Sequence, residues 1–153
     1  MNKNCFELLN LEIHFNIDKG KLEENYTAFS AKFHPDNFET KEEIFHATNL
    51  ILELNSAYAI IKDDIKRAKC ILQLYGIILD GVDKNITPDI DFLEKIMELS
   101  EQFLQDKNKN IINLKISQNM DLLEDFFIKK DFKNAGKTLL NIIYLQGILH
   151  HNK

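Results

Sequence analysis

Three consecutive residues, His34-Pro35-Asp36, place an imidazole and a carboxylate on either side of a proline. Pro35 has no N–H and its ring clashes with the preceding turn, so it cannot sit inside a helix. The residue before it is also pushed out of the helical region. The tripeptide is therefore a sharp break that presents two polar groups. Three chemistries suit such a pair: a charged loop read by a partner protein, half of a metal site, or an acid–base pair. Side chains two apart across a proline are a poor chelate, and His46 lies on the following helix with no carboxylate at chelating spacing. Cys5 and Cys70 form no C-x-x-C pair, which disfavours structural zinc. So cysteine-poor a chain suits a reducing compartment, with a disulfide left open. His14, His150 and His151 are expected at the surface.

The elements around the tripeptide are helical. Asp18 is placed as an N-cap, and Leu22, Tyr26, Phe29 and Phe33 follow at spacings of four, three and four, one face of a helix that ends near Phe33. A second helix starts near Thr40, with Glu43 completing a capping box, and runs to about Lys62. Joined by a tight loop, the two read as an antiparallel hairpin. A short helix over about 64–74 stops at Gly76, a natural C-terminal cap. A short apolar cluster, Cys5 to Leu11, precedes them. Residues 77–88 lack helical period and read as a connector. Helices resume at Asp89 or Asp91, fray through 106–110, continue over roughly 111–130, and resume after Asp131, a further N-cap, to about Leu149. Three such helices with short loops imply a small antiparallel bundle.

Composition narrows the function classes. Of 153 residues, 44% are hydrophobic and 28% charged, which permits a real core. Val is nearly absent, and the abundance of Leu, Ile, Lys, Glu and Asn favours helix over sheet. A net charge of −5 argues against nucleic acid as the main partner, because phosphate binding needs a basic face. No apolar run approaches the ~18 residues of a membrane span. No secretory or transit signal is read at the N-terminus.

A helix, His-Pro-Asp and a longer helix together resemble the J-domain. Tyr26, Phe29 and Phe33-His34-Pro35-Asp36-Asn37-Phe38 are similar to its second helix and loop, and Leu54-Asn55-Ser56-Ala57-Tyr58 to the signature of its third helix. Arg67-Ala68 with Leu72, Leu74, Tyr75 and Gly76 resembles the R-A-x-x-L-L-x-L-x-G ending of one subclass. Asp91-Phe92-Leu93 with Met97-Glu98-Leu99 resembles the start of that subclass's second domain. The subclass is the HscB family, co-chaperones of iron–sulfur cluster assembly. The resemblance implies an all-α fold: an N-terminal J-domain over 1–76, a connector over 77–88 and a C-terminal three-helix bundle over 89–153.

The resemblance also implies a co-chaperone and not an enzyme, with no catalytic residue, metal or cofactor of its own. It places His34, Pro35 and Asp36, with Lys21 and Lys32, against an HscA/DnaK-class chaperone ATPase. It places Leu93, Met97, Glu98, Glu101 and Tyr144 against the IscU-type iron–sulfur scaffold. Lys19 adds to the basic side of the helix before the tripeptide, but Glu23 and Glu24 share that helix. Asn37 stands where the family commonly has Lys, so weaker steering by charge is expected. Glu94 replaces a commonly apolar residue. The zinc-binding C-x-x-C pairs that precede the J-domain in some eukaryotic relatives are absent, which favours the bacterial form; a cytoplasmic protein with no nucleic-acid or membrane partner is expected. Two alternatives stay beside this reading: a general J-protein with other clients, and a small helical metalloprotein using His34 and Asp36.

Overall fold

The computed structural model describes residues 2–151 and divides into two compact units, Met1–Ile71 and Leu72–Lys153. Among the described residues there is helix and no strand. The first unit opens with a one-turn helix, α1 (Cys5–Leu8), over what sequence alone marks only as an apolar cluster. Asn4 and Glu7 cap it reciprocally, Asn4 Oδ1 accepting from the Glu7 N–H and Glu7 Oε2 from the Asn4 N–H, both at 3.0 Å. Phe6 and Leu9 are thereby fully buried.

The hairpin follows as α2 (Lys19–Lys32) and α3 (Lys41–Lys62). Asp18 caps α2 through the Lys21 N–H at 3.0 Å, and α2 stops where the proline requires. Thr40 and Glu43 form the expected capping box on α3. The hydrogen bonds from Thr40 hold the Glu43 carboxyl below its ordinary range. Both α1 and α2 pack on α3. Leu22, Leu54, Ala57 and Ile61 are buried, while the rim of the hairpin is fastened by polar aromatics. Tyr26 stacks on Tyr58 with ring centroids 4.1 Å apart and donates to Asn55 Oδ1 at 2.6 Å. The Tyr58 hydroxyl donates to Glu23, which raises its pKa.

The helix α4 (Asp64–Leu74) carries Arg67, whose guanidinium is buried. Its Nε donates to Phe15 O at 2.7 Å, Nη1 to Ile61 O at 2.8 Å and Nη2 to Asp64 Oδ1 at 2.6 Å. One side chain thus joins the approach to α2, the end of α3 and the start of α4. Gly76, at φ 81°, ends α4 in a Schellman pattern: Gly76 N–H bonds Gln73 O and Ile77 N–H bonds Leu72 O.

In the second unit α5 (Ile90–Asp106), α6 (Lys109–Ile128) and α7 (Phe132–His151) form the bundle, with α7 packed against both others. Ile96, Phe103, Ile112, Leu145 and Ile148 make a core cluster. The stretch 77–88 is not helical but lies on α7. Leu79 and Ile86 are buried, and a Cβ on Gly136 would stand 2.9 Å from side-chain atoms of Ile77 and Ile86. The run 106–110 does not fray. Lys107 turns left-handed at φ 55°, Asp106 Oδ1 accepts from the Asn108 N–H at 2.8 Å, and Asn108 caps α6 through the Asn110 N–H at 3.0 Å. The last helix continues to His151, beyond the expected stop at Leu149. No helix among the described residues is long and apolar enough to cross a membrane.

Candidate functional site

Pro35–Asn37 form a 3-10 turn that packs on α3, with His34 as its N-cap. His34 Nδ1 accepts the Asp36 N–H at 3.2 Å and lies 3.5 Å from Asp36 Oδ2. An accepting Nδ1 leaves the proton of neutral His34 on Nε2. The Asp36 side chain is 89% exposed, so its carboxylate is open to a partner's guanidinium. Lys21 and Lys32 lie eleven residues apart with Ala28 between them, at spacings of seven and four, and so share one exposed stripe of α2. Lys32 also extends over the Phe33 ring, 5.2 Å from its centroid. Of the two acids on this helix, Glu23 faces the hairpin rim and accepts from Tyr58, so Glu24 alone adjoins the lysines.

Among the described residues no three His, Cys, Asp or Glu side chains gather as an ion site. His46 does have a carboxylate neighbour, contrary to expectation: Glu42 Oε1 lies 3.9 Å from its Nε2, one helical turn away, with both side chains exposed.

On α5 the predicted patch residues separate cleanly from the core. Phe92, Ile96, Leu99 and Phe103 turn inward. Leu93 is half-buried, Met97 is 65% exposed, and Glu98 and Glu101 are exposed. Tyr144 of α7 meets this helix edge-to-face at Phe92, with centroids 6.2 Å apart. Together these side chains make an apolar strip with acids beside it, a composition suited to a transient interface.

No family model matches the chain. Curated proteins do. The co-chaperone protein HscB homolog of Haemophilus ducreyi is 37% identical over 102 residues, 65% of this chain and 59% of that protein. A Vibrio cholerae homolog is 37% identical over 101 residues, 58% of its length, so these two matches span under two thirds of the relatives. The Pasteurella multocida homolog is 31% identical over 140 residues, 90% of this chain and 76% of the relative. The chain belongs to the HscB co-chaperone family. Solved structures agree on the fold. Chaperone HscB from Vibrio cholerae superposes with a TM-score of 0.80 at 23% identity, over 98% of this chain and 95% of that one. Human co-chaperone protein HscB gives 0.85 at 24% identity, over 99% and 81%. The J-like unit followed by a helical bundle is therefore the HscB architecture, as the residue motifs implied.

In this HscB-family chain His34, Pro35 and Asp36 come together on one turn, with Lys32 the last residue of α2 and Lys21 near its other end. Leu93, Met97, Glu98 and Glu101 share α5, and Tyr144 of α7 meets the same helix at Phe92. Two further apolar residues extend this exposed stripe. Ile90 is 75% exposed and Leu104 54% exposed, and they stand seven residues before and after Met97 on the same stripe. That seven-residue spacing was the available signal. Asn37 brings no charge but has a structural part. Its amide donates to Ala31 O at 2.7 Å and Lys32 O at 3.2 Å, closing the end of α2.

Proposed function

We propose that this chain stimulates the ATPase of an HscA/DnaK-class chaperone and delivers to it an IscU-type iron–sulfur scaffold, in the bacterial cytoplasm. The observation that carries the reading is the ordered, exposed His34–Asp36 turn at the end of a J-like hairpin in an HscB-family chain. In this reading Asp36 accepts a charge-assisted pair from the chaperone, Pro35 fixes the turn, His34 supplies an Nε2 donor, and Lys21 and Lys32 meet acidic residues. A charge-assisted hydrogen bond contributes about 1.5–3 kcal/mol, enough to couple a loop to a partner's conformation. Leu93, Met97 and Tyr144 hold the scaffold's apolar surface, while Glu98 and Glu101 select its register. The chain itself transfers no group; it changes the hydrolysis rate of another protein.

The test is the steady-state ATPase rate of the chaperone with this chain, then with added IscU. Stimulation by the chain and a further rise with IscU are expected. His34→Gln abolishes stimulation while leaving the helical circular dichroism unchanged. If neither HscA nor another DnaK-class chaperone responds, the J reading is wrong. Loss of IscU affinity in Leu93→Ala with Met97→Ala tests the patch, and unchanged affinity removes it.

A further inference from the structure

We infer that Asn37 is a positioning residue, holding the His34-Pro35-Asp36 turn in its docking geometry before any partner arrives. The inference deepens the proposed function and rests on that reading of the turn. The last carbonyls of a helix have no partner within it. At the end of α2, Phe29 O is taken by the Phe33 N–H at 2.9 Å, while Ala31 O and Lys32 O both receive the Asn37 side-chain amide. Asn37 thus reaches back across the break and ties the far end of the turn to the helix that precedes it. The bonds within the turn are local: Asn37 N–H to His34 O at 2.9 Å, Phe38 N–H to Pro35 O at 3.2 Å, and Asp36 N–H to His34 Nδ1 at 3.2 Å. Asp36 projects into solvent, so the backbone of the turn sets where its carboxylate stands. Among these bonds, the two from the Asn37 side chain fix that backbone relative to α2 and its lysines.

The consequence follows from population arithmetic. A turn that is competent only part of the time binds with its affinity reduced by that fraction, yet a saturating partner still selects the competent form. Loss of two exposed hydrogen bonds lowers the ratio of competent to incompetent turn about three- to tenfold, and the competent fraction by at most that factor. Asn37→Ala therefore raises the chain concentration needed for half-maximal ATPase stimulation by up to that factor and leaves the plateau unchanged. In the free protein, amide exchange at positions 37 and 38, followed by NMR, rises by a similar factor. Asn37→Asp, which keeps the shape but has no donor, behaves the same way in the exchange measurement.

A plateau that falls with an unmoved midpoint overturns the inference. So does unchanged exchange in the free variants, because a residue that acts only by touching the partner would not alter the free turn. If the unsubstituted chain stimulates no DnaK-class ATPase, the functional reading fails by itself. The exchange comparison then still decides the positioning role: faster exchange in both variants supports it and unchanged exchange refutes it.

Discussion

Arg67 offers the most quantitative test of how the first unit is held together. Its side chain is only 4% exposed, and the guanidinium makes two bonds in buried surroundings, to the carbonyls of Phe15 and Ile61, besides one to the half-exposed Asp64. It also lies over the Phe15 ring at 5.0 Å. Arg67→Met keeps most of the apolar stem and removes every donor. Each charged bond to a buried carbonyl contributes about 1.5–3 kcal/mol. The Asp64 pair adds under about 1 kcal/mol because water screens it. Freedom from desolvating a guanidinium offsets part of the loss. The net destabilisation is about 3 kcal/mol, and for a unit of this size that lowers the melting midpoint by about 12–24 °C. The assay is a thermal melt followed residue by residue by NMR, so that amides of α1 to α3 are read separately from those of α6 and α7. Only the former should shift. Well below the new midpoint, the plateau of the proposed chaperone stimulation should be unchanged, since the bonds of Arg67 go to Phe15, Ile61 and Asp64 and not to the His34–Asp36 turn. A shift under about 4 °C would mean that the three bonds are matched by solvation in the unfolded chain, and the fastening role would be wrong.

Ile90→Ala with Leu104→Ala should weaken IscU binding about tenfold by calorimetry, as loss of modest interface contacts does, without lowering helicity. Equal affinity, with Leu93→Ala and Met97→Ala still damaging, would confine the patch to its centre. Thr40→Ala removes the α3 cap and should cost about 1 kcal/mol at neutral pH, read as a shift in the urea midpoint. Because Glu43 is held below its ordinary carboxyl range of 4.5, the stability it lends is present above that value. It is lost as pH falls through the lowered folded value, so the gap between the two proteins should narrow between pH 7 and pH 3. Cys70 is half-buried, and burial, followed by the neighbouring Cys5, pushes its thiol up to about 11. At pH 8 iodoacetamide should then modify it about a hundredfold more slowly than a free thiol, and rapid labelling would disprove the buried neutral state.

Much of the chain up to Gly76 was legible because its element boundaries rest on local chemistry. Asp18, Thr40 with Glu43, Pro35 and Gly76 each act within one turn of chain, and each marks the expected edge. The one-turn α1 was not legible, since four residues are too few to show a period; only its reciprocal Asn4–Glu7 cap distinguishes it. The run 106–110 misled because charged residues usually fray a helix end. Here the same polar side chains close a turn, and their effect depends on which backbone groups they reach. Gly136 gave no signal at all, because its reason is the approach of Ile77 and Ile86, fifty or more residues away in sequence. Glu23 looked like a charge opposing the lysines and is instead the acceptor of Tyr58, a pairing set by tertiary contact.

The patch on α5 shows why the proposed docking face was only half legible. The helix carries two apolar rows. One, Phe92-Ile96-Leu99-Phe103, has spacings of four, three and four; the other, Ile90-Met97-Leu104 with Leu93 at its shoulder, repeats every seven. Each row alone satisfies the period of an amphipathic helix, so periodicity cannot say which one the bundle buries. The structure separates them: the aromatic-rich row meets α7 and α6 side chains, and the row with the flexible Met stays exposed. The acids explain the choice. Asp91, Glu94, Glu98 and Glu101 fall beside the second row, and burying it would have drawn carboxylates out of water with no partner, a cost of several kcal/mol each. The same acids that keep this row out of the core leave it rimmed with negative charge. A partner that covers it must therefore bring an apolar surface with basic residues at one edge. Glu98→Lys with Glu101→Lys tests that directly: IscU binding should weaken and lose its salt dependence, with the melting midpoint of the bundle unchanged. Binding that is indifferent to the reversal would mean that the acids serve solubility alone.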